Sequence, residues 1–138
     1  MRYMMLIYTV EGDRDAMPPE EVQQIKAGHA AVMNESRKKG ILVAVNGLGR
    51  TNTTTTVRVQ NGEILATDGP FAETREQLAG YYVLDCKDLN EAIAWAARIP
   101  TACGGGKGSI EVRQLMEFAG VPESILKPHP AWAGVASD

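Results

Sequence analysis

Apolar residues in this chain recur in short runs, and their spacing predicts strands and helices in alternation. Residues 2–9 and 80–86 are apolar at both odd and even positions, which is typical of strands that are covered on both faces. Residues 41–45 form a third apolar run, and residues 108–115 form the last one. The pattern therefore predicts four core strands.

Two other segments carry apolar residues at helical spacing. The first opens at Pro18-Pro19 and closes at Gly40, because proline suits a first helical turn and glycine suits a helix end. Its apolar side includes a histidine, and the residues on that side are Val22, Ile25, His29, Val32, Met33 and Ser36. The second helix starts at Asp88, with Glu91 placed as in a capping box, and ends before Pro100.

Between these elements lies a hairpin signal. Residues 53–60 alternate and are rich in β-branched side chains, Asn61-Gly62 favours a type I′ turn, and residues 63–67 form the return strand. The remaining segments are predicted as connections, with loops over 13–17 and 68–71 and at most two helical turns over 73–78.

The resulting order without the hairpin is βαββαβ, the ferredoxin-like α+β arrangement. Its two helices cover one face of an antiparallel sheet, and the chain offers no third long helix for the other apolar face. We therefore expect a homodimer whose sheets pack face to face. Residues 1–116 form the single predicted domain, and the glycines and prolines of residues 117–138 indicate an irregular tail.

Charge and composition exclude several partners. The chain of 138 residues has a net charge of −3 and no basic stripe, so we expect no nucleic-acid partner. No apolar run approaches the length of a membrane span, and no export signal precedes the first strand, so a cytoplasmic protein is expected. Cys86 and Cys103 are then expected as reduced thiols without a disulfide or a metal.

Few motifs for chemistry remain. The glycine-rich run over residues 104–108 lacks the spacing of a phosphate loop and leads into a strand. His29 and His129 are the two histidines, too few for a multi-histidine metal site, and no cofactor motif is present. We expect neither a metal nor a cofactor.

His29 and Asp68 are the candidate catalytic residues, and each has an ordinary structural interpretation as well. A histidine on an apolar helix side is often a core residue, and an aspartate before Gly69-Pro70 often bonds the backbone of its own turn. If the two meet, the carboxylate orients the imidazole, raises its pKa and leaves one ring nitrogen for proton transfer. Further candidates for pocket lining are Tyr3, Tyr8, Tyr81, Arg75 and Arg113.

The run Thr67-Asp68-Gly69-Pro70-Phe71-Ala72-Glu73-Thr74-Arg75-Glu76-Gln77-Leu78 resembles the hallmark of the DGPF subgroup of the YCII-related (YciI-like) family. Residues 2–8, 55–62, 89–100 and 108–115 also resemble segments of that family, so the resemblance covers about residues 2–116. It implies a ferredoxin-like fold of the dimeric α/β-barrel kind. It also implies a site built from a helix histidine and an aspartate, here His29 and Asp68. The residues that we expect to bind the substrate are Gly69, Pro70, Phe71, Tyr8, Tyr81 and Arg113.

Two functions follow as expectations. The first is a cofactor-free acid/base enzyme acting on a small organic molecule, with His29 as the base and acid and Asp68 as its orienting partner. Some members of the family resemble muconolactone isomerase or dehalogenating lyases. The alternative is a non-catalytic small-molecule-binding or regulatory dimer, since DGPF members also resemble domains found beside extracytoplasmic-function sigma factors.

Overall fold

The computed structural model describes residues 1–101 and 107–116. These residues form six strands: β1 (Arg2–Thr9), β2 (Leu42–Gly47), β3 (Thr55–Gln60), β4 (Glu63–Asp68), β5 (Gln77–Asp85) and β6 (Ser109–Gln114). Three α-helices accompany them: α1 (Glu11–Asp15), α2 (Pro19–Lys38) and α3 (Leu89–Ala96), with a short 3-10 turn over Thr51–Thr53. The predicted tail and Cys103 lie outside the described residues.

Four strands form one antiparallel sheet in the order β2-β5-β1-β6. β1 is central, with Met5 opposite Tyr82 on β5 and opposite Val112 on β6. This mixed α+β arrangement is compatible with the predicted ferredoxin-like fold. The hairpin β3-β4 makes a separate two-stranded sheet.

The helices cover one face of the four-stranded sheet, which is called here the covered face. Alternate residues of β1 and β5 point to it and are buried: Tyr3, Met5, Ile7, Thr9, Tyr82 and Leu84. Val32 of α2 and Trp95 of α3 pack into the same core. Met4, Leu6 and Tyr8 of β1 are only partly buried and lie on what is called here the open face.

Both long helices begin and end where the residue chemistry predicts. Pro19 is the first residue of α2, and Gly40 follows its end with φ of +73°, a left-handed conformation that glycine adopts without steric cost. The backbone N–H of Ile41 closes this end on the carbonyl of Ser36 at 3.0 Å. At α3, Asp88 Oδ1 accepts a hydrogen bond from the Glu91 N–H at 2.9 Å, which confirms the predicted cap.

The hairpin turn is confirmed in detail. Asn61 and Gly62 both have positive φ, 51° and 78°, as a type I′ turn requires. The hairpin is anchored at its base, because Glu11 accepts hydrogen bonds from the Thr51 N–H at 2.8 Å and the Thr51 hydroxyl at 2.9 Å. Beyond this base every residue of β4 is exposed.

Two predicted connections differ from the structure. The loop predicted over 13–17 is partly helical, because Glu11–Asp15 form a short helix whose first turn is acidic. The helical turns predicted over 73–78 are absent, and β5 begins at Gln77 instead. Gln77 takes this role because its side chain ties the segment down: Nε2 donates to the Thr74 carbonyl at 2.7 Å and Oε1 accepts from the Glu11 N–H at 3.0 Å. Within the described residues, no helix has both the length and the apolar character needed to cross a membrane.

Candidate functional site

His29 lies in the middle of α2 and faces the sheet, as the helical spacing predicts. Its Nδ1 is 2.8 Å from the hydroxyl oxygen of Tyr82 on β5. The two rings are nearly parallel, with an interplanar angle of 10° and centroids 6.0 Å apart. The covered face therefore joins a histidine to a tyrosine between helix and sheet.

Burial disfavours the charged form of both rings. It lowers the pKa of His29 below the ordinary 6.5, because the imidazolium form loses hydration. The same burial raises the pKa of Tyr82 to about 12, because the phenolate is disfavoured in the same way. A neutral imidazole is the form that accepts a proton, so this environment suits a base.

The tautomer decides which ring nitrogen of His29 is basic. When Nδ1–H donates to the Tyr82 oxygen, Nε2 carries the lone pair and is the proton acceptor. Among residues 1–101 and 107–116, Nε2 has no hydrogen-bond partner. His29 keeps partial exposure, so Nε2 is the atom through which this pair can exchange a proton.

Asp68 lies at the end of β4, opposite Thr55, and is exposed. The loop after it is tied to the hairpin: the Gly69 N–H donates to the Thr54 carbonyl at 2.7 Å, and the Thr56 hydroxyl donates to the Gly69 carbonyl at 2.7 Å. No hydrogen bond or ion pair joins Asp68 to His29 within the described part of the chain. A single copy of the chain thus leaves the two predicted catalytic residues apart.

The other predicted lining residues fall in different places. Gly69 has φ of +101°, which glycine tolerates, and Phe71 is 81% exposed. Pro70 between them is partly buried. On the open face, the Tyr81 hydroxyl accepts a hydrogen bond from Asn46 Nδ2 at 2.9 Å. Tyr3 belongs to the buried core of the covered face, so it lines no open cleft.

A cavity of about 800 Å³ lies on the open face, beside the C-terminal end of β1. Its lining includes two of the predicted residues, Tyr8 and Arg75, together with Val10, Thr74, Glu76, Lys107, Gly108, Ser109, Ile110 and Glu111. Arg113 is not in this lining, and its Nε lies 3.9 Å from Glu111 Oε1. Tyr8 and Tyr82 point to opposite faces of the sheet, so this cavity and the His29–Tyr82 pair are separate features.

Sequence reasoning missed Tyr82 as the partner of His29. Strand alternation already places Tyr82 on one side with Leu84 and Cys86, and that side is the one that faces the helices. A buried tyrosine hydroxyl needs a partner, and the polar ring on the facing apolar helix side is His29.

Cys86 is a free, buried thiol. Burial raises its pKa, and Glu91 and Asp85 add to that shift. In the part of the chain that the structure describes, no three histidine, cysteine, aspartate or glutamate side chains converge in a way that could hold a metal ion.

Comparison with known proteins identifies the family of the chain. Residues 1–119 match the YCII-related domain, which confirms the resemblance at the level of the family. The chain is also similar to an uncharacterized protein of Rhizobium meliloti (strain 1021), with 38% identity over 115 residues. That alignment covers 83% of this chain and 92% of the relative.

Proposed function

The chain belongs to the YCII-related domain family, and from that premise we propose that it is a cofactor-free acid/base enzyme acting on a small organic molecule. The run Thr67–Leu78 supports its placement in the DGPF subgroup. The observation that carries the enzymatic proposal is the partly buried His29, held by Tyr82 through Nδ1 at 2.8 Å.

In this proposal His29 Nε2 accepts a proton from a C–H or O–H group of the substrate. The Tyr82 oxygen accepts the hydrogen bond from Nδ1–H while the ring is positively charged, and the same Nε2 proton then returns to another atom of the substrate. If the proton returns to another carbon of the substrate, the reaction is an isomerisation and the substrate keeps all its atoms. If it is given to a leaving group whose bond to carbon breaks as the new double bond forms, the reaction is an elimination with two products. Tyr82 is a positioning residue here, because it acts on the substrate only through its hydrogen bond to His29.

The second part of the proposal is the homodimer of the dimeric α/β-barrel kind. The open face supports it, because Met4, Leu6 and Tyr8 stay partly exposed on a sheet face that no helix of the described residues covers. The hairpin supports it too, because Val59 and Ile64 are paired on one of its faces and are 67% and 75% exposed. We propose that Asp68 approaches His29 in this assembly, where the projecting hairpin of one copy reaches the other. Its carboxylate would then favour the imidazolium by its charge, while Nδ1 stays on Tyr82 and Nε2 stays free for the substrate.

Solvent exchange tests the enzymatic proposal without a known substrate. The protein is incubated in D₂O with a panel of small carbonyl compounds and lactones, and protein-dependent loss of C–H signals is followed by proton NMR. A base at His29 predicts exchange for at least one compound, and His29→Gln should slow it by roughly 10²–10⁴-fold. His129→Gln is the matched control and should keep the full rate. Equal rates for wild type and His29→Gln would sink the proposal.

The role of Asp68 has its own test, the NMR titration of His29 in wild type and in Asp68→Asn at a concentration where the chain is dimeric. Pairing across the dimer predicts that the His29 pKa falls in Asp68→Asn, since the carboxylate favours the imidazolium. An unchanged titration curve would remove Asp68 from the site and leave His29–Tyr82 as the site by itself.

A specific observation favours the alternative, a non-catalytic small-molecule-binding or regulatory dimer. The cavity of about 800 Å³ is lined by Tyr8 on the open face, and His29 has no part in it. A ligand held there would contact the loop over residues 74–76, which follows the Asp68-Gly69-Pro70-Phe71 turn. Such a dimer fits an accessory role in sigma-factor-type transcription control.

A further inference from the structure

We propose that the cavity on the open face binds a small organic carboxylate with a compact apolar or aromatic body. The inference rests on the ligand-binding alternative above and gives its ligand a chemical class. It does not depend on catalysis by His29, because that residue lies on the covered face.

The charged side chains of the cavity differ in whether they have a hydrogen-bond or ion-pair partner. Glu76 accepts a hydrogen bond from the Ser109 hydroxyl at 3.2 Å, and Glu111 lies 3.9 Å from the guanidinium of Arg113. Arg75 and Lys107 also line the cavity, and neither forms an ion pair with any residue in the ranges 1–101 and 107–116. Two cations are therefore available to a ligand, whereas the carboxylates already have neighbours.

The cavity wall also limits the charge of the ligand. A guanidinium presents parallel N–H donors that match a carboxylate, and a lysine adds a point charge beside it. Glu76 and Glu111 in the same wall repel a second negative charge on the ligand. A monoanionic carboxylate is thus favoured over a phosphate dianion.

The apolar residues of the cavity wall indicate the chemistry of the rest of the ligand. Tyr8 and Val10 supply an aromatic ring and an aliphatic side chain, both partly buried. A cavity of about 800 Å³ lies within the ordinary range for small-molecule sites, which is about 300–1,000 Å³. Benzoate is small enough to enter this volume, and in our proposal its carboxylate lies against Arg75 and Lys107.

The test measures binding of sodium benzoate by ¹H–¹⁵N NMR titration of the full chain at constant ionic strength. Benzamide, which has the same shape without the charge, and inorganic phosphate are titrated in parallel. We expect saturable shifts of the Tyr8 and Ser109 amides with benzoate, and weaker binding of benzamide and of phosphate. Arg75→Gln and Lys107→Gln should each raise the dissociation constant for benzoate about tenfold, the loss of one charge-assisted hydrogen bond.

Arg58→Gln is the matched control, because Arg58 is an exposed arginine of the hairpin outside the cavity, and it should leave benzoate binding unchanged. Benzamide binding as tightly as benzoate at Tyr8 would overturn the carboxylate assignment while the ligand-binding function stands. Tighter binding of phosphate would overturn the assignment in the same way. The absence of saturable shifts at Tyr8 with all three probes would overturn the assignment and the ligand-binding function together. His29→Gln should leave benzoate binding intact, which separates this outcome from that of the enzymatic proposal.

Discussion

The two faces of the four-stranded sheet are built by the same strands and have opposite chemistry. On the covered face, Met5 and Leu84 are fully buried, and burial lowers the pKa of His29 and raises the pKa of Tyr82, which disfavours the charged form of each. On the open face, Leu6 and Tyr8 stay partly exposed, and the cavity beside them carries full charges. The cover over a face decides whether its polar groups are removed from water, which disfavours their charged forms, or stay in contact with water and keep their charges.

The largest expected effect compares one leucine on each face. Leu84→Ala removes a fully buried side chain and should lower the free energy of unfolding by about 2–5 kcal/mol. Leu6→Ala should cost less in the monomer, because Leu6 is only partly buried there. Denaturant unfolding monitored by circular dichroism measures both.

Measuring the stability of both variants at several protein concentrations tests whether the open face is a dimer interface. If the open face is the dimer interface, the loss caused by Leu6→Ala should grow as the chain is concentrated, while the loss caused by Leu84→Ala stays constant. Equal losses from the two variants in a monomeric sample would contradict the difference between the faces.

A smaller loss of stability is expected at the contact between α2 and the segment after α3. A Cβ atom at Gly28 would lie 2.6 Å from Cγ of Pro100, so Gly28→Ala forces the helix and this proline apart. We expect a loss of about 1–3 kcal/mol, although alanine favours the helix itself. Gly12→Ala is the control, because nothing lies within 4 Å of its added Cβ. Similar melting temperatures for the two variants would show that this packing is loose.

Lowering the pH should reduce the free energy of unfolding, because His29 lies partly buried on the covered face. Burial lowers the pKa of His29 in the folded chain below 6.5, whereas the unfolded chain keeps the ordinary value. Between these two pKa values the unfolded chain binds more protons, so stability falls as pH drops from 6.5 toward the folded pKa. Urea unfolding of wild type and His29→Gln across pH 5–8 measures this, and the variant should lack the His29 part of the slope. A wild-type chain that gains stability on acidification, relative to His29→Gln, would show a charged partner instead.

The smallest effect concerns two fully buried hydroxyl groups of the covered face. Ser36 Oγ donates to the Met33 carbonyl at 3.2 Å, whereas Thr9 Oγ1 is buried and has no hydrogen-bond partner in the described part of the chain. Thr9→Val should therefore be neutral or stabilising by up to about 1 kcal/mol, and Ser36→Ala should cost about 0.5–1.5 kcal/mol. A clear loss of melting temperature in Thr9→Val would reveal a partner for its hydroxyl.

Local patterns predicted most of the elements, because the signals for them lie within a few residues. Asp88, Gly40 and Asn61-Gly62 act on their own backbone, and each works in the structure as predicted. The helix Glu11–Asp15 and the start of β5 at Gln77 were predicted wrongly, because their stabilising contacts come from far along the chain. The Glu11 carboxylate accepts a hydrogen bond from the Thr51 N–H, and the Gln77 side chain accepts one from the Glu11 N–H.

Patterns within short stretches of the sequence predicted the order of strands and helices, the side of α2 that carries His29, and the resemblance to the family. The contact between His29 and Tyr82, and the lack of a hydrogen bond between His29 and Asp68 in the described part of one copy, depend on tertiary packing. The reason is geometric: the helix packs His29 onto the sheet, 53 residues before Tyr82, while the hairpin keeps Asp68 on a separate pair of strands. Burial and long-range hydrogen bonding depend on this packing, and neither property belongs to a short stretch of sequence.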